Sequence, residues 1–193
     1  MLRGDRCLFT SLSFALNDGG LLLLEGSNGS GKTSLLRAMV GMIDLEEGDI
    51  FWDGKSVRED RQRFYSSLVW LSHRVGLKAD LTLVENLNFE QCLRPTSGKD
   101  FESVLERLGL MRLRKLPLRS LSAGQQRRVA LARMLLADAP LWLMDEPFTN
   151  LDRAGRSLVE DIVTEHLQAG GLCVIAAHQD VDIDAPTERV VLQ

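Results

Sequence analysis

The sequence predicts an α/β fold, a mostly parallel sheet with a helical block inserted into it, and three stretches predict it. Leu21-Leu22-Leu23-Leu24 is a strand-length apolar run that gives way at Glu25 to a glycine-rich loop and, from Lys32, to helical spacing. Leu141-Trp142-Leu143-Met144 is a second such run, ending in Asp145-Glu146. Between them, residues 82–138 follow a helical rather than an alternating pattern, so helices interrupt an otherwise alternating succession of strands and helices.

Taken in order, Cys7 to Leu16 alternates in part and predicts a strand, joined to Leu21–Glu25 by the turn Asn17-Asp18-Gly19-Gly20. Leu35, Leu36, Met39 and Val40 share one face of the helix that opens at Lys32, and Gly41 is its stop. Asp49 to Trp52, a turn at Asp53-Gly54, and Leu68 to Leu71 predict further strands, flanking ones antiparallel, around a polar stretch rich in Arg and Glu that is expected on the solvated surface. Leu83 to Leu93, Phe101 to Leu108 before Gly109, and a segment from Ser122 to Asp138 predict the helices of an inserted subdomain spanning residues 80–138. Leu141 to Met144, a helix from Arg153 to Gln168 before Gly170-Gly171, and Leu172 to Ala177 restore the α/β pattern, with Arg189 to Leu192 closing the sheet. No repeat, low-complexity tract or linker divides the chain, which predicts one domain over residues 1–193.

That length is enough to bury a substantial core. With 45% apolar and 26% charged residues the chain is neither disordered nor fibrous in composition. A net charge of -4 argues against affinity for a phosphate backbone, so no nucleic acid partner is expected. Cys7, Cys92 and Cys173 lie far apart without metal-ligand spacing, which predicts ordinary core thiols in a reducing compartment. No run approaches the roughly 20 apolar residues that cross a bilayer, and Arg3, Asp5 and Arg6 break up the opening residues where a signal peptide would need an apolar core. Any membrane part must come from a partner.

The segment Gly26-Ser27-Asn28-Gly29-Ser30-Gly31-Lys32-Thr33 fits the phosphate-binding P-loop pattern, placed after a buried strand and opening a helix. Glycines let backbone N–H groups converge on phosphate oxygens, Lys32 neutralises the β- and γ-phosphates, Thr33 offers its hydroxyl to Mg²⁺, and the helix N-terminus adds partial positive charge. The bland alternative is a glycine-rich turn at a helix start. Asp145, at the end of an apolar strand, is the second expected Mg²⁺ position, and Glu146, on the opposite side of the pleat, is placed to polarise an attacking water. Taken alone, the pair reads equally as an acidic turn before Pro147. These motifs predict a P-loop NTPase core with a nucleotide and Mg²⁺ as ligands, and the resemblance that follows implies ATP as that nucleotide.

Between the two sites lies Leu121-Ser122-Ala123-Gly124-Gln125-Gln126-Arg127-Arg128, followed by Val129-Ala130-Leu131-Ala132-Arg133. It resembles the signature motif of the ABC ATPases, with Ser122 able to cap the helix and Gly124 leaving room at its start. In that family the signature, here Ser122, Ala123, Gly124 and Gln125, binds the nucleotide held by another subunit's P-loop, which implies a working dimer. Asn150-Leu151-Asp152 resembles the family's D-loop at the dimer interface, and His178 resembles its switch histidine. Two positions depart from the pattern. Arg74 stands where the family's Q-loop glutamine is expected, and arginine cannot ligate a cation. Arg3 stands near the usual adenine-stacking aromatic; a guanidinium plane can stack on a base. The chain opens so close to this point that the family's first strand is expected to be missing, and Met1 need not be the natural start.

Within the ABC ATPases the chain is most similar to the haem-exporter ATPase subunits of cytochrome c maturation. The resemblance rests on Leu24-Glu25-Gly26-Ser27-Asn28-Gly29, His73 with Gly76-Leu77-Lys78, Leu81-Thr82 before Glu85-Asn86-Leu87, Leu141-Trp142, and Pro147-Phe148-Thr149 before Leu151-Asp152. It implies a peripheral subunit on the cytoplasmic face of the bacterial inner membrane, bound to integral membrane permease subunits, with residues 75–95 receiving a helix of the partner. Nothing in the residues themselves points to haem: His73 and Cys92 are isolated and no direct haem binding is expected. A soluble non-transport ABC ATPase and an ATP-binding regulatory subunit with weak hydrolysis are the alternatives.

Overall fold

The structure is a computed structural model that describes residues 2–3, 6–7, 12–178 and 181–192. Two short strands, β1 (Leu2–Arg3) and β2 (Arg6–Cys7), pair antiparallel. Then follow β3 (Leu21–Glu25), α1 (Lys32–Met39), β4 (Phe51–Trp52), β5 (Lys55–Ser56), α2 (Arg61–Ser66) and β6 (Leu68–Leu71). The helical insertion contributes α3 (Leu83–Leu93), α4 (Phe101–Arg107) and α5 (Ala123–Leu136). The chain then returns to the sheet with β7 (Leu141–Asp145), α6 (Arg153–Gln168), β8 (Leu172–Ala176) and β9 (Thr187–Val191).

The main sheet has the order β6-β7-β8-β3-β9, with parallel pairing throughout. Covered on both faces, its central strands read as continuous apolar runs rather than as alternation. Successive side chains still go to opposite sides. Leu21, Leu23, Trp142, Met144, Cys173 and Ile175 join one buried cluster with α3, α5 and α6, whereas Leu22, Leu24, Leu143, Val174 and Ala176 join another with Leu35 and Leu36 of α1 and Phe64 of α2. The first cluster runs without a break from the sheet into the insertion, through Leu83, Leu105 and Leu131, each at most 1% exposed.

Register sets up the site. Ala176 of β8 pairs with Leu24 on one side and with Asp145 on the other. The loops leaving β3, β7 and β8 therefore emerge side by side from the carboxyl edge, where ligands of open parallel sheets bind.

Several expectations need correction. Residues 12–16 form no strand: Leu12, Phe14 and Leu16 lie against the second cluster without a ladder partner among the described residues, and residues 8–11 lie outside those. The strand expected over Asp49–Trp52 is reduced to Phe51–Trp52, which pairs with Lys55–Ser56 around Asp53 and Gly54; their φ values of 50° and 73° are those of a tight left-handed hairpin turn. The polar stretch before β6 contains α2, whose N-cap Asp60 accepts from the Arg63 amide at 3.2 Å and which buries Phe64. The helix read as reaching Asp138 stops at Leu136, where Ala137 turns into a bridge with Thr96. Cys173 is a core thiol, but Cys92 is exposed on the outer face of α3; the side chains of Arg3 and Cys7 lie outside the described ones.

Candidate active site

The loop between β3 and α1 owes its path to glycines. Gly26 has φ 143°, and a Cβ there would lie 2.4 Å from the Leu192 carbonyl oxygen and 2.6 Å from Ser30 Oγ, so no other residue fits. Gly31, at φ 106°, is the N-cap of α1 and leaves that helix start without a side-chain cap. Ser30 Oγ is buried and has no hydrogen-bond partner among the described residues, while Ser27, Asn28 and Gly29 are exposed at the mouth of the loop. An uncapped helix N-terminus next to an orphaned hydroxyl suits an anionic ligand. Lys32 reaches across the loop, its Nζ donating to the carbonyls of Gly26 at 2.8 Å and Ser27 at 3.2 Å.

One residue on, Thr33 Oγ1 donates to both carboxylate oxygens of Asp145, at 3.1 and 3.0 Å. Asp145 is 1% exposed. A hydroxyl facing a buried carboxylate is a hard-oxygen pair of the kind Mg²⁺ takes together with substrate phosphates, and the chemistry of these donors fits that ion. Among the described residues no group of three or more His, Cys, Asp or Glu could hold a metal by itself.

Glu146 is not aimed by the pleat, as the sequence suggests. Strand β7 ends at Asp145, and Glu146 adopts φ 51°, a left-handed conformation that is uncommon for a residue with a Cβ. Its amide donates to the Ala176 carbonyl at 2.8 Å, and its Oε2 lies 2.7 Å from His178 Nδ1. Two segments that are distant in sequence, the ends of β7 and β8, thereby bring the carboxylate and the imidazole together.

The segment that resembles the signature begins α5. Ser122 is its N-cap and forms a reciprocal capping box with Gln125: the Gln125 amide donates to Ser122 Oγ at 3.2 Å, and the Ser122 amide to Gln125 Oε1 at 2.8 Å. At Gly124 a Cβ would sit 2.8 Å from the Asn150 carbonyl oxygen, so the signature turn packs on the loop leading to α6. Asp152 caps α6, accepting from the Gly155 amide at 2.8 Å, and pairs with Arg128 at 3.8 Å. Ala123 and Arg74 line one open groove with His73, Gln126, Thr149 and Asn150. Arg74 is exposed, and its carbonyl accepts a bond from Ser72 Oγ.

Arg127 is the residue that sequence reasoning passed over. It is 4% exposed and donates to four backbone carbonyls: Asp145 at 2.7 Å, Glu146 at 2.5 Å, Ser72 at 3.0 Å and Pro147 at 3.3 Å. Burial pushes its guanidinium down to about 10, partly offset by the charges of Asp145 and Glu146, so it stays a cation at neutral pH. Standing between Gln126 and Arg128, it carries no sequence signal of burial.

A glycine-shaped loop opening a helix, a hydroxyl–carboxylate pair and a carboxylate–imidazole pair on one edge of a parallel sheet are the features of a P-loop ATPase, and the inserted helices place it with the ATP-binding cassette class. Residues 9–149 match the ABC transporter family. The cytochrome c biogenesis ATP-binding export protein CcmA of Pasteurella multocida is 44% identical over 93% of this chain and 85% of its own, and that of Vibrio cholerae is 42% identical over 98% and 93%. Among solved structures, an ATP-binding protein of a putative ABC transporter from Pyrococcus furiosus superposes with a TM-score of 0.83 at 22% identity, covering 96% of this chain and 91% of that one. A dimeric ATP-binding cassette in a post-hydrolysis state, bound to ADP and Pi, gives 0.77 at 22%, over 89% and 80%; both likenesses speak to the fold. The chain belongs to the ATP-binding proteins of the ABC transporters, in the family of the cytochrome c biogenesis export proteins CcmA.

Proposed function

We propose that this ATPase is the energy-converting subunit of a haem exporter in cytochrome c biogenesis. It works as one half of a dimer bound to integral membrane permease subunits on the cytoplasmic face of the bacterial inner membrane. The observation that carries the hydrolytic part is the Glu146–His178 pair standing beside Thr33 and Asp145 at the sheet edge. The export part is supported by the names and near full-length similarity of the curated relatives. No helix among the described residues is long and apolar enough to cross a membrane, so the membrane path is assigned to partner subunits.

Each residue of the site then has its task. Gly26, Ser27, Asn28, Gly29, Ser30 and Gly31 wrap the phosphates of ATP with backbone amides, while Lys32 offsets their charge. Thr33 and Asp145 would hold Mg²⁺, which when bound would neutralise charge on the phosphate oxygens. Glu146 accepts a proton from the attacking water as the bond from the γ-phosphorus to the bridging oxygen breaks and ADP leaves, and His178 holds the carboxylate in place. Ser122, Ala123, Gly124 and Gln125 close on the nucleotide of the other subunit, with Asp152 of the D-loop beside them. Residues 1–193 act as one domain. Neither His73 nor Cys92 is assigned a role toward haem.

Two experiments test it. Lys32→Ala is expected to abolish hydrolysis, and Glu146→Gln to retain ATP and accumulate as a closed dimer on size exclusion; Glu146→Gln hydrolysing at the wild-type rate would remove the catalytic assignment. A tagged copy drawn from gently solubilised native membranes is expected to bring polytopic cytochrome c maturation proteins. Unrelated permeases would discard haem and keep transport, and a protein found wholly outside membranes would favour a non-transport ATPase.

A further inference from the structure

The carbonyls of Asp145, Glu146 and Pro147 all turn toward one guanidinium, that of Arg127. Three consecutive carbonyls face one side only because Glu146 takes a left-handed backbone, φ 51°, which is strained for a residue with a Cβ. A flat, always-charged donor with five N–H groups can satisfy such a concave set of acceptors; an ammonium or an amide cannot match it in number or spread. The fourth bond, to Ser72, reaches the loop that follows β6 and carries Arg74. Arg127 itself lies in α5, about one helical turn beyond Ala123, where that helix begins.

We propose that Arg127 is a positioning residue for hydrolysis: it holds the Glu146 turn in its left-handed form and ties that turn rigidly to the signature helix and to the Ser72 loop. A tilt of α5 then moves the carbonyls on either side of Glu146, and with them the carboxylate that faces His178. None of the four bonds of Arg127 reaches the phosphate loop, Lys32 or Thr33, and the one to Asp145 ends on its backbone carbonyl and not on the carboxylate that faces Thr33, so the residue acts on the chemical step and not on nucleotide affinity. The inference rests on the assignment of Glu146 as the catalytic carboxylate.

The test is steady-state ATP hydrolysis and ATP-analogue binding by the full chain in the complex with which it copurifies, comparing wild type, Arg127→Gln, Arg127→Lys, Glu146→Gln and the double variant Arg127→Gln/Glu146→Gln. The expected result is a kcat lowered at least about tenfold in Arg127→Gln and less in Arg127→Lys, with the Kd for the analogue within about twofold of wild type. Because Arg127 acts through Glu146, the double variant is expected to be no slower than Glu146→Gln alone. Wild-type kcat in Arg127→Gln, or additive losses in the double variant, would overturn the proposal while leaving Glu146 in its role. A Glu146→Gln enzyme as fast as wild type would instead overturn the catalytic reading beneath it. Should Arg127→Gln fail to fold, as judged by its melting curve, Arg127→Lys alone and combined with Glu146→Gln replaces it: a lowered kcat that does not add to the Glu146→Gln loss supports the proposal, and a wild-type kcat or an additive loss overturns it.

Discussion

A single methyl group at position 124 decides whether the signature turn can rest on the loop before α6. A Cβ there would stand 2.8 Å from the Asn150 carbonyl oxygen, a backbone atom that cannot swing aside as a side chain would. Asn150 is itself in a left-handed conformation, φ 63°, and is followed by Asp152, the cap of α6, so a displaced carbonyl disturbs a short segment already fixed at both ends. Gly124→Ala is therefore expected to cost about 1–3 kcal/mol in urea unfolding, in the range for forcing one extra carbon into a packed contact. It should also lower ATP hydrolysis more than the loss of folded protein explains. Gly170→Ala provides the contrast, since a Cβ there meets nothing within 4 Å and only the φ of 87° resists it. Equal losses of activity in the two variants would show that the Gly124 contact has no special bearing on the site.

At the scale of elements, α6 shows how a titrating side chain can serve packing. The His166 ring stacks on Trp142 of β7, with centroids 3.9 Å apart and planes within 9°, and its Nε2 lies 3.1 Å from the Pro140 carbonyl and 3.3 Å from that of Leu172. A nitrogen facing two carbonyls must carry the proton, and burial pushes the imidazole below its ordinary value, outweighing those two carbonyls. The folded chain thus takes up a second ring proton only at lower pH than the unfolded chain, whose histidine titrates at about 6.5. Between the two values the unfolded state binds more protons, so stability falls as the pH drops through that window and levels off below the folded value. Melting curves from pH 7.5 to 5 are expected to fall more steeply for wild type than for His166→Phe, which keeps a ring on Trp142 and loses the titration; parallel slopes would exclude His166 as the source. The same elements show what a sequence can disclose. β3, β7 and β8 are legible because strands covered on both faces must be apolar at every position, and α6 because its one buried stripe keeps helical spacing. Residues 12–16 mislead because alternation reports one buried and one exposed side, and Leu12, Phe14 and Leu16 supply that by packing on the second cluster without a ladder partner among the described residues. α2 escapes notice because its six residues bury only Phe64. At the site, the phosphate loop and Asp145-Glu146 are contiguous and could be read directly, whereas the left-handed Glu146 and its Arg127 clamp arise from contacts across 18 to 55 positions that no local pattern encodes.

Across the whole molecule, the two halves of the proposed catalytic apparatus are carried by different bodies of the chain: the phosphate loop and Glu146 by the sheet edge, and Ser122-Ala123-Gly124-Gln125 by the end of the helical insertion. If the signature acts on another subunit's nucleotide, the chain alone holds two half-sites, and a two-fold dimer makes two complete ones. This arrangement has a signature in mixing experiments. Lys32→Ala keeps a sound signature with a dead phosphate loop, and Ser122→Arg keeps a sound loop with a blocked signature. Each is expected to be inactive alone. Mixed in equal amounts and allowed to exchange, half of the dimers are mixed, and each of these has one complete site, so about a quarter of the wild-type sites return. Activity should appear on mixing and grow with subunit exchange, rising steeply with total protein because association limits it. Were the signature to act within its own chain, both variants would stay dead at every ratio, and the dimeric mechanism would have to be abandoned.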